Sequence, residues 1–261
     1  MKPLIPTRVA HAGHDSQRFF GRDVHRELLG RVSLPQTLLL AVTGRDFDAE
    51  TAEVLTDFTV AATVADPRIW PLKMSRHGAA YGNAIAGLSA GLSFMAEARM
   101  GPMAFGPVAI RLAELGVEAS EVEVERQVAG WFERDAFPAG FGVPFRTEDE
   151  RSEALRARLE TKGRGRLPYM ALHDRVVRAA ADRSRAAPNF TLTGAAAILD
   201  MGVPASAVAQ VALLGSLPSF LANAVEQANI WAPSLHRLGP RFVRDQTPED
   251  RVSPRASSSH H

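Results

Sequence analysis

From about Val24 onward the chain is written in apolar periods of three and four residues, each closed by glycine or proline. Apolar–polar alternation, the mark of a half-buried strand, is confined to the first twenty or so residues. A sheet-based architecture is therefore excluded, and the expected class is all-α. Ser33 ahead of Pro35 reads as an N-cap, Gly44 as a stop, Asp48 as the next start, and Asp66-Pro67 as the stop after it. VHRELLGRVSL reads as a helix with Leu28, Leu29 and Val32 inward. From Gly78 the chain is rich in Gly, Ala and Ser, which lets helices approach closely, so a tight hairpin or a subunit interface is expected there, ended by Gly101-Pro102. The last long apolar run, from Pro204 to Trp231, reads as one helix kinked at Pro218.

At 261 residues and 46% hydrophobic content the chain can bury one large core or two unequal ones. Lys and Arg number 30 against 29 for Asp and Glu, so no global field recruits nucleic acid or an anionic membrane. Cysteine is absent, which removes disulfides, thiolate nucleophiles and cysteine metal sites together. His11 and His14 form HxxH without an acidic ligand motif, so no metal is expected. The N-terminus has no apolar core of signal-peptide length. The apolar stretch after Thr191 is interrupted by Asp200, Pro204 and Gln210, so no membrane span and a cytoplasmic protein are expected. The terminal Ser-Ser-Ser-His-His, within 255–261, reads as a tag remnant.

The stretch with most chemistry is Ala136 to Leu155. Gly140-Phe141-Gly142 makes a glycine-broken turn, and a charged helix opens near Thr147 with Arg151 in its first turns. Glycines allow close backbone approach, and a helix start offers N–H donors to an anion. Arg146 and Arg151 are the cations beside it, and Arg151 has Glu148 and Asp149 as alternative ion-pair partners. Downstream, Lys162, Arg164 and Arg166 alternate with glycine, which suits phosphates on a pliable loop as well as plain solvation. Among the histidines, His77, beside Arg76 and near Tyr81, is the candidate acid–base group, with His173 second.

GFGVPFR-TEDERSEAL resembles the GFGHPVxK-xxDPRxxAL signature of citrate synthases and citryl-CoA lyase domains, and FFGRDVHRELLGRVSLPQTLLLAVTGRDFDAETAEVL resembles a second segment of that family. The resemblance covers about Phe20 to Gln227. It implies a large domain from 1–105 and 206–254, a small one from 106–205, and a cleft between them. It also implies a homodimer through segments like Ala84 to Met100 and Ala205 to Gln227, and a coenzyme A thioester as substrate, with no tightly bound cofactor. The family's enol-binding histidine falls on Ala104, the histidine of its GFGH motif on Val143, and its catalytic carboxylate on Thr191, beside Asn189. Ser216 stands at a substrate arginine, Asn223 at a histidine, and Phe58 near another. Arg151 stands where the family grips a carboxylate. A methyl group and an isopropyl group cannot move protons, and each lost acid or base is worth roughly 10²- to 10⁴-fold in rate, so ordinary citrate synthesis is excluded. The expectation is an atypical enzyme acting on an acyl-CoA or related carboxylic substrate at a C–C or thioester bond. Arg151, Arg146, Ala104, Val143, Asn189, Thr191 and Ser216 would line its substrate site, with Lys162, Arg164, Arg166, Gly140 and Gly142 at coenzyme A. The alternative is a non-catalytic binding or regulatory subunit, paired with an active paralogue.

Overall fold

Helix starts fall where the sequence supplies an acceptor for the unpaired first N–H groups. In the computed structural model, which describes residues 6–64, 66–95, 101–143, 147–181 and 187–230, Ser33 and Gln36 exchange side-chain and backbone hydrogen bonds in a capping box. They open α1 (Leu34–Thr43), which ends on Gly44 in the left-handed conformation, φ 67°. The Asp48 carboxylate accepts from Thr51 N–H at 2.7 Å and opens α2 (Ala49–Ala62).

Ahead of these, Ala10–Ala12, Gln17–Phe19 and Arg22–Asp23 form a small antiparallel meander, β1 to β3. The helix expected after it is corrected to one wide π-type turn over Val24–Leu28, capped by Asp23. Leu29 already has extended ψ, and Gly30 takes φ 71°, which turns the chain away. Leu28 is buried, whereas Leu29 is 70% exposed.

The small-residue segment forms the expected hairpin, α3 (Trp70–Ala79) against α4 (Ala84–Met95). At Gly87 an added Cβ would lie 2.6 Å from both Ser75 O and the Ala79 Cβ, and at Gly91 it would lie 2.6 Å from the Phe220 ring. Backbone contact this close leaves no room for alanine. Then come α5 (Phe105–Leu115), α6 (Glu121–Arg134), α7 (Glu150–Thr161), α8 (Pro168–Ala181), α9 (Phe190–Asp200) and α10 (Val208–Ile230). Helix α9 is buried from Phe190 to Leu199 apart from Thr191, so it is the axis around which α5, α7 and α8 pack. The main core runs through Leu39, Phe58, Leu112, Val128, Leu155, Leu172, Ile198 and Val211; a second, smaller cluster joins Leu72, Met95 and Phe220.

Among the described residues one helix, 205–230, is long and apolar enough to cross a membrane by length and composition alone, which corrects the expectation that no run has that length. Pro218 lies inside it without ending it. It packs against α2, α3, α4 and α5 and buries Val211, Phe220 and Ala224.

Candidate functional site

Gly140 and Gly142 both take positive φ, 99° and 87°, and an added Cβ at Gly140 would sit 3.3 Å from the Leu192 Cβ. The turn therefore lies directly on the start of α9. Asn189 N–H donates to Gly140 O at 2.9 Å, Gly142 N–H donates to Ala187 O at 2.8 Å, and the Asn189 side-chain amide donates to Gly142 O at 2.9 Å. The other end of that amide, Oδ1, accepts from Thr191 N–H and caps α9. Asn189, expected among the ligand-lining residues, is thus the residue that fastens the glycine turn to the helix.

Asp149 caps α7 with a side chain only 2% exposed. It accepts from Arg151 Nε and Nη2 at 2.8 and 2.7 Å and from Phe190 N–H at 2.8 Å, so one carboxylate joins the starts of α7 and α9. Burial pushes that carboxyl up, but the Arg151 guanidinium and the Phe190 N–H outweigh it and hold it below the ordinary carboxylate value. Of the two partners open in the sequence, Arg151 takes Asp149. Its guanidinium also lies over the Phe190 ring, 5.2 Å from the centroid. Arg151 Nη1 carries no hydrogen bond among the described residues, and its side chain is 35% exposed.

Phe190 belongs to a three-ring cluster with Phe58 and Phe105, at centroid separations of 5.2 and 6.1 Å, and Phe58 lies 5.5 Å from Phe105. Ala104 precedes Phe105, Thr191 follows Phe190, and Val143 follows the turn residue that Asn189 holds. Ser216 follows Gly215, whose Cβ position would meet the Phe58 ring at 2.4 Å, and its hydroxyl donates to Ala212 O. Arg151 touches a ring of this cluster, Ala104, Asn189, Thr191 and Ser216 adjoin in sequence residues that form or touch it, and Val143 adjoins the turn that Asn189 holds. Arg146 lies outside the described residues. At this site the ionisable pair is Asp149 with Arg151, and the other positions offer a hydroxyl, an amide or apolar surface.

Behind the pair runs a buried chain of polar contacts. Ser152 meets Thr193, whose hydroxyl bonds His173 Nε2 at 3.0 Å, while His173 Nδ1 lies 2.9 Å from Asp174 and 3.1 Å from Arg156. Burial keeps His173 below its ordinary value, so it stays neutral, and Asp174 is held well below the carboxylate range against its own burial by His173 and Arg156. Thr193 and Ser152 carry no helix-period signal of this role. They read as generic helix residues until α7, α8 and α9 are assembled.

His77 is on α3, half-buried, with Nδ1 lacking a hydrogen-bond partner among the described residues. Helix α3 packs on α4 and α10, and the neighbouring Arg76 pairs with Glu226 and reaches Asn223 at 3.4 Å. No hydrogen bond, ion pair or ring contact among the described residues joins His77 to Arg151. The three glycine-spaced cations are split. Lys162 lies 2.8 Å from Glu53 and 2.7 Å from Asp57, Arg164 bonds Thr51 at 2.9 Å, and Arg166 is exposed. Among the described residues no group of three or more His, Asp or Glu could hold a metal.

No protein-family model and no curated protein sequence matches the chain. Solved structures do. Citryl-CoA lyase from Hydrogenobacter thermophilus superposes with a TM-score of 0.78 at 19% identity, over 98% of this chain and 99% of that one. ATP citrate lyase from Methanothrix soehngenii, in complex with citrate and coenzyme A, gives 0.70 at 12% identity over 96% of this chain and 43% of its own. Citrate synthase from Thermoplasma acidophilum, in a ternary complex with carboxymethyl coenzyme A and oxaloacetate, gives 0.61 at 14% identity, covering 86% and 60%. The chain has the all-α, citrate synthase-like fold.

Proposed function

We propose that this chain is an atypical citrate synthase-like enzyme acting on an acyl-CoA or related carboxylic substrate, at a C–C or thioester bond, and not in ordinary citrate synthesis. The observation that carries the reading is Arg151. Its guanidinium is held over the Phe190 ring by Asp149, and Nη1 is left over for a carboxylate. A guanidinium locked at two of its nitrogens loses little freedom when a ligand takes the remaining edge. The solved structures of this fold that contain citrate, coenzyme A or carboxymethyl coenzyme A support the ligand class. Ala104, Val143 and Thr191 would shape the pocket without moving protons, leaving His77 as the acid–base group to test. Arg166, the exposed member of its trio, is the cation for a coenzyme A phosphate.

The segments 1–105 with 206–254 and 106–205 would be the two halves that close on the ligand. A homodimer would form through α4 and α10, where Ile85, Phe94, Leu221 and Val225 stand exposed at 78, 40, 50 and 41%.

A non-catalytic binding or regulatory subunit is the second reading. It is favoured by the Asp149 clamp on Arg151 and by the position of His77 on a helix that packs away from α7. One screen separates the two. Acyl-CoAs and small carboxylic acids are tested for thermal stabilisation of the wild type and of Arg151→Ala, and any stabilising compound is followed by mass spectrometry for turnover. The enzyme reading expects a ligand that Arg151→Ala loses and a product that His77→Ala fails to form. Binding without product supports the subunit, and stabilisation undiminished in Arg151→Ala overturns the site.

A further inference from the structure

Two polar rungs, about one helical turn apart, join the starts of α7 and α9. The first is Asp149 accepting from Phe190 N–H at 2.8 Å, and the second is the Ser152 hydroxyl against the Thr193 hydroxyl, three residues further along both helices. Arg151 stands between the rungs in sequence, and Ser152 N–H donates back to Asp149 O at 2.9 Å. Hydroxyls within helices commonly turn back on the carbonyl four residues earlier, as those of Thr37, Thr43, Thr59, Ser93 and Ser216 do. The Thr193 hydroxyl leaves its helix instead, and its further partner is His173 Nε2 at 3.0 Å. Thr193, His173 and Ser152 are 0, 2 and 6% exposed.

The proton order along this chain follows from its outer end. Against its own burial, Asp174 is held ionised by His173 and Arg156, so its Oδ1 accepts from His173 Nδ1–H at 2.9 Å. Arg156 Nη1, 3.1 Å from Nδ1, donates to the same Asp174 oxygen. His173 Nε2 is then bare and takes the Thr193 proton, which leaves Thr193 Oγ1 to accept from Ser152 O–H. Neither hydroxyl is free to turn back to its own helix. Burying an imidazole and two hydroxyls has a desolvation cost that apolar side chains of the same size avoid. What a satisfied polar chain adds is direction. A lone contact at Asp149 would let the first turn of α7 roll about that point; a second, one turn on, stops the roll and fixes where Arg151 leaves the helix.

We propose that Ser152 and Thr193 are positioning residues that aim the free Nη1 edge of Arg151 at its carboxylate. This rests on the reading of Arg151 as a carboxylate grip, and the test separates the two. The Nε–H resonance of Arg151 in the full chain, identified by its loss in Arg151→Gln, reports the guanidinium without ligand. Calorimetry with oxalate, doubly ionised at neutral pH, reports the grip. Ser152→Ala and Thr193→Val are expected to shift that resonance and to weaken oxalate about 3- to 10-fold, while Thr193→Ser, which keeps the hydroxyl, retains both. Thr37→Val, which removes a hydroxyl bonded within its own helix, changes neither. All are measured well below the melting transition, where a loss of stability alone leaves affinity unchanged, and Ser152→Ala carries the test if Thr193→Val does not fold. Oxalate bound alike by the wild type and Arg151→Gln overturns the grip and leaves the resonance to decide whether the two hydroxyls position the guanidinium. A resonance unmoved in both variants, or an oxalate affinity unmoved in them where Arg151→Gln abolishes binding, overturns the proposal.

Discussion

At the scale of the residue, Arg151 and Asp149 are a partnership in which one member is sealed and the other is partly wet. Replacing Arg151 by Gln leaves a 2% exposed carboxylate with only backbone N–H donors, and a loss of about 1–3 kcal/mol in chemical denaturation is expected. Two other buried groups set opposing pH dependences. His173 is neutral when folded and its ordinary value is 6.5, so its contribution is lost progressively as pH falls below 6.5. Asp200 accepts from Tyr169 N–H and Met170 N–H at the start of α8, yet burial raises it to about 6. Its contribution is fully present below 3.8 and is lost as pH rises through about 6. Asp200→Asn should therefore steepen the fall of Tm between pH 6.5 and 5, and His173→Gln should flatten it. A melting series over that range with the three proteins checks both. Arg151 was legible from its motif, whereas the Asp200 cap and the Ser152–Thr193–His173 chain were not. Each joins residues twenty or more apart, and neither has a local pattern.

Elements show the same division between near and far. Helix starts at Ser33 and Asp48 were legible because a cap satisfies its own helix within three residues. The glycine-rich hairpin was legible because close packing demands small side chains wherever the partner is. Gly87→Ala is expected to cost about 1–3 kcal/mol, since its Cβ would press on Ser75 O. Gly106→Ala is its control: the nearest atom to that Cβ is the Ala209 methyl at an ordinary 3.5 Å, and alanine favours the helix by about 0.5–1 kcal/mol. Urea denaturation of both variants distinguishes crowding from helix propensity. The helix expected over VHRELLGRVSL failed because Gly30 and the ψ of Leu29 end it after one turn, and apolar spacing alone does not report that.

For the whole molecule, motif order made the helical fold readable at identities too low for a family model to match. Quaternary structure leaves a pattern that is easier to test than to read. If α4 and α10 form the interface, Leu221→Glu places a charge in its middle, and sedimentation velocity should show the wild type as a dimer and the variant as a monomer with unchanged helicity. Folding of both at the monomer mass would remove that interface. The ion contacts between α2 and the end of α7 bear on motion. Lys162 is 12% exposed and Asp57 16%, and in the proposed division they belong to opposite halves of the molecule. If those halves part on ligand entry, an ammonium and a carboxylate must be rehydrated together, so this clasp would favour the shut posture.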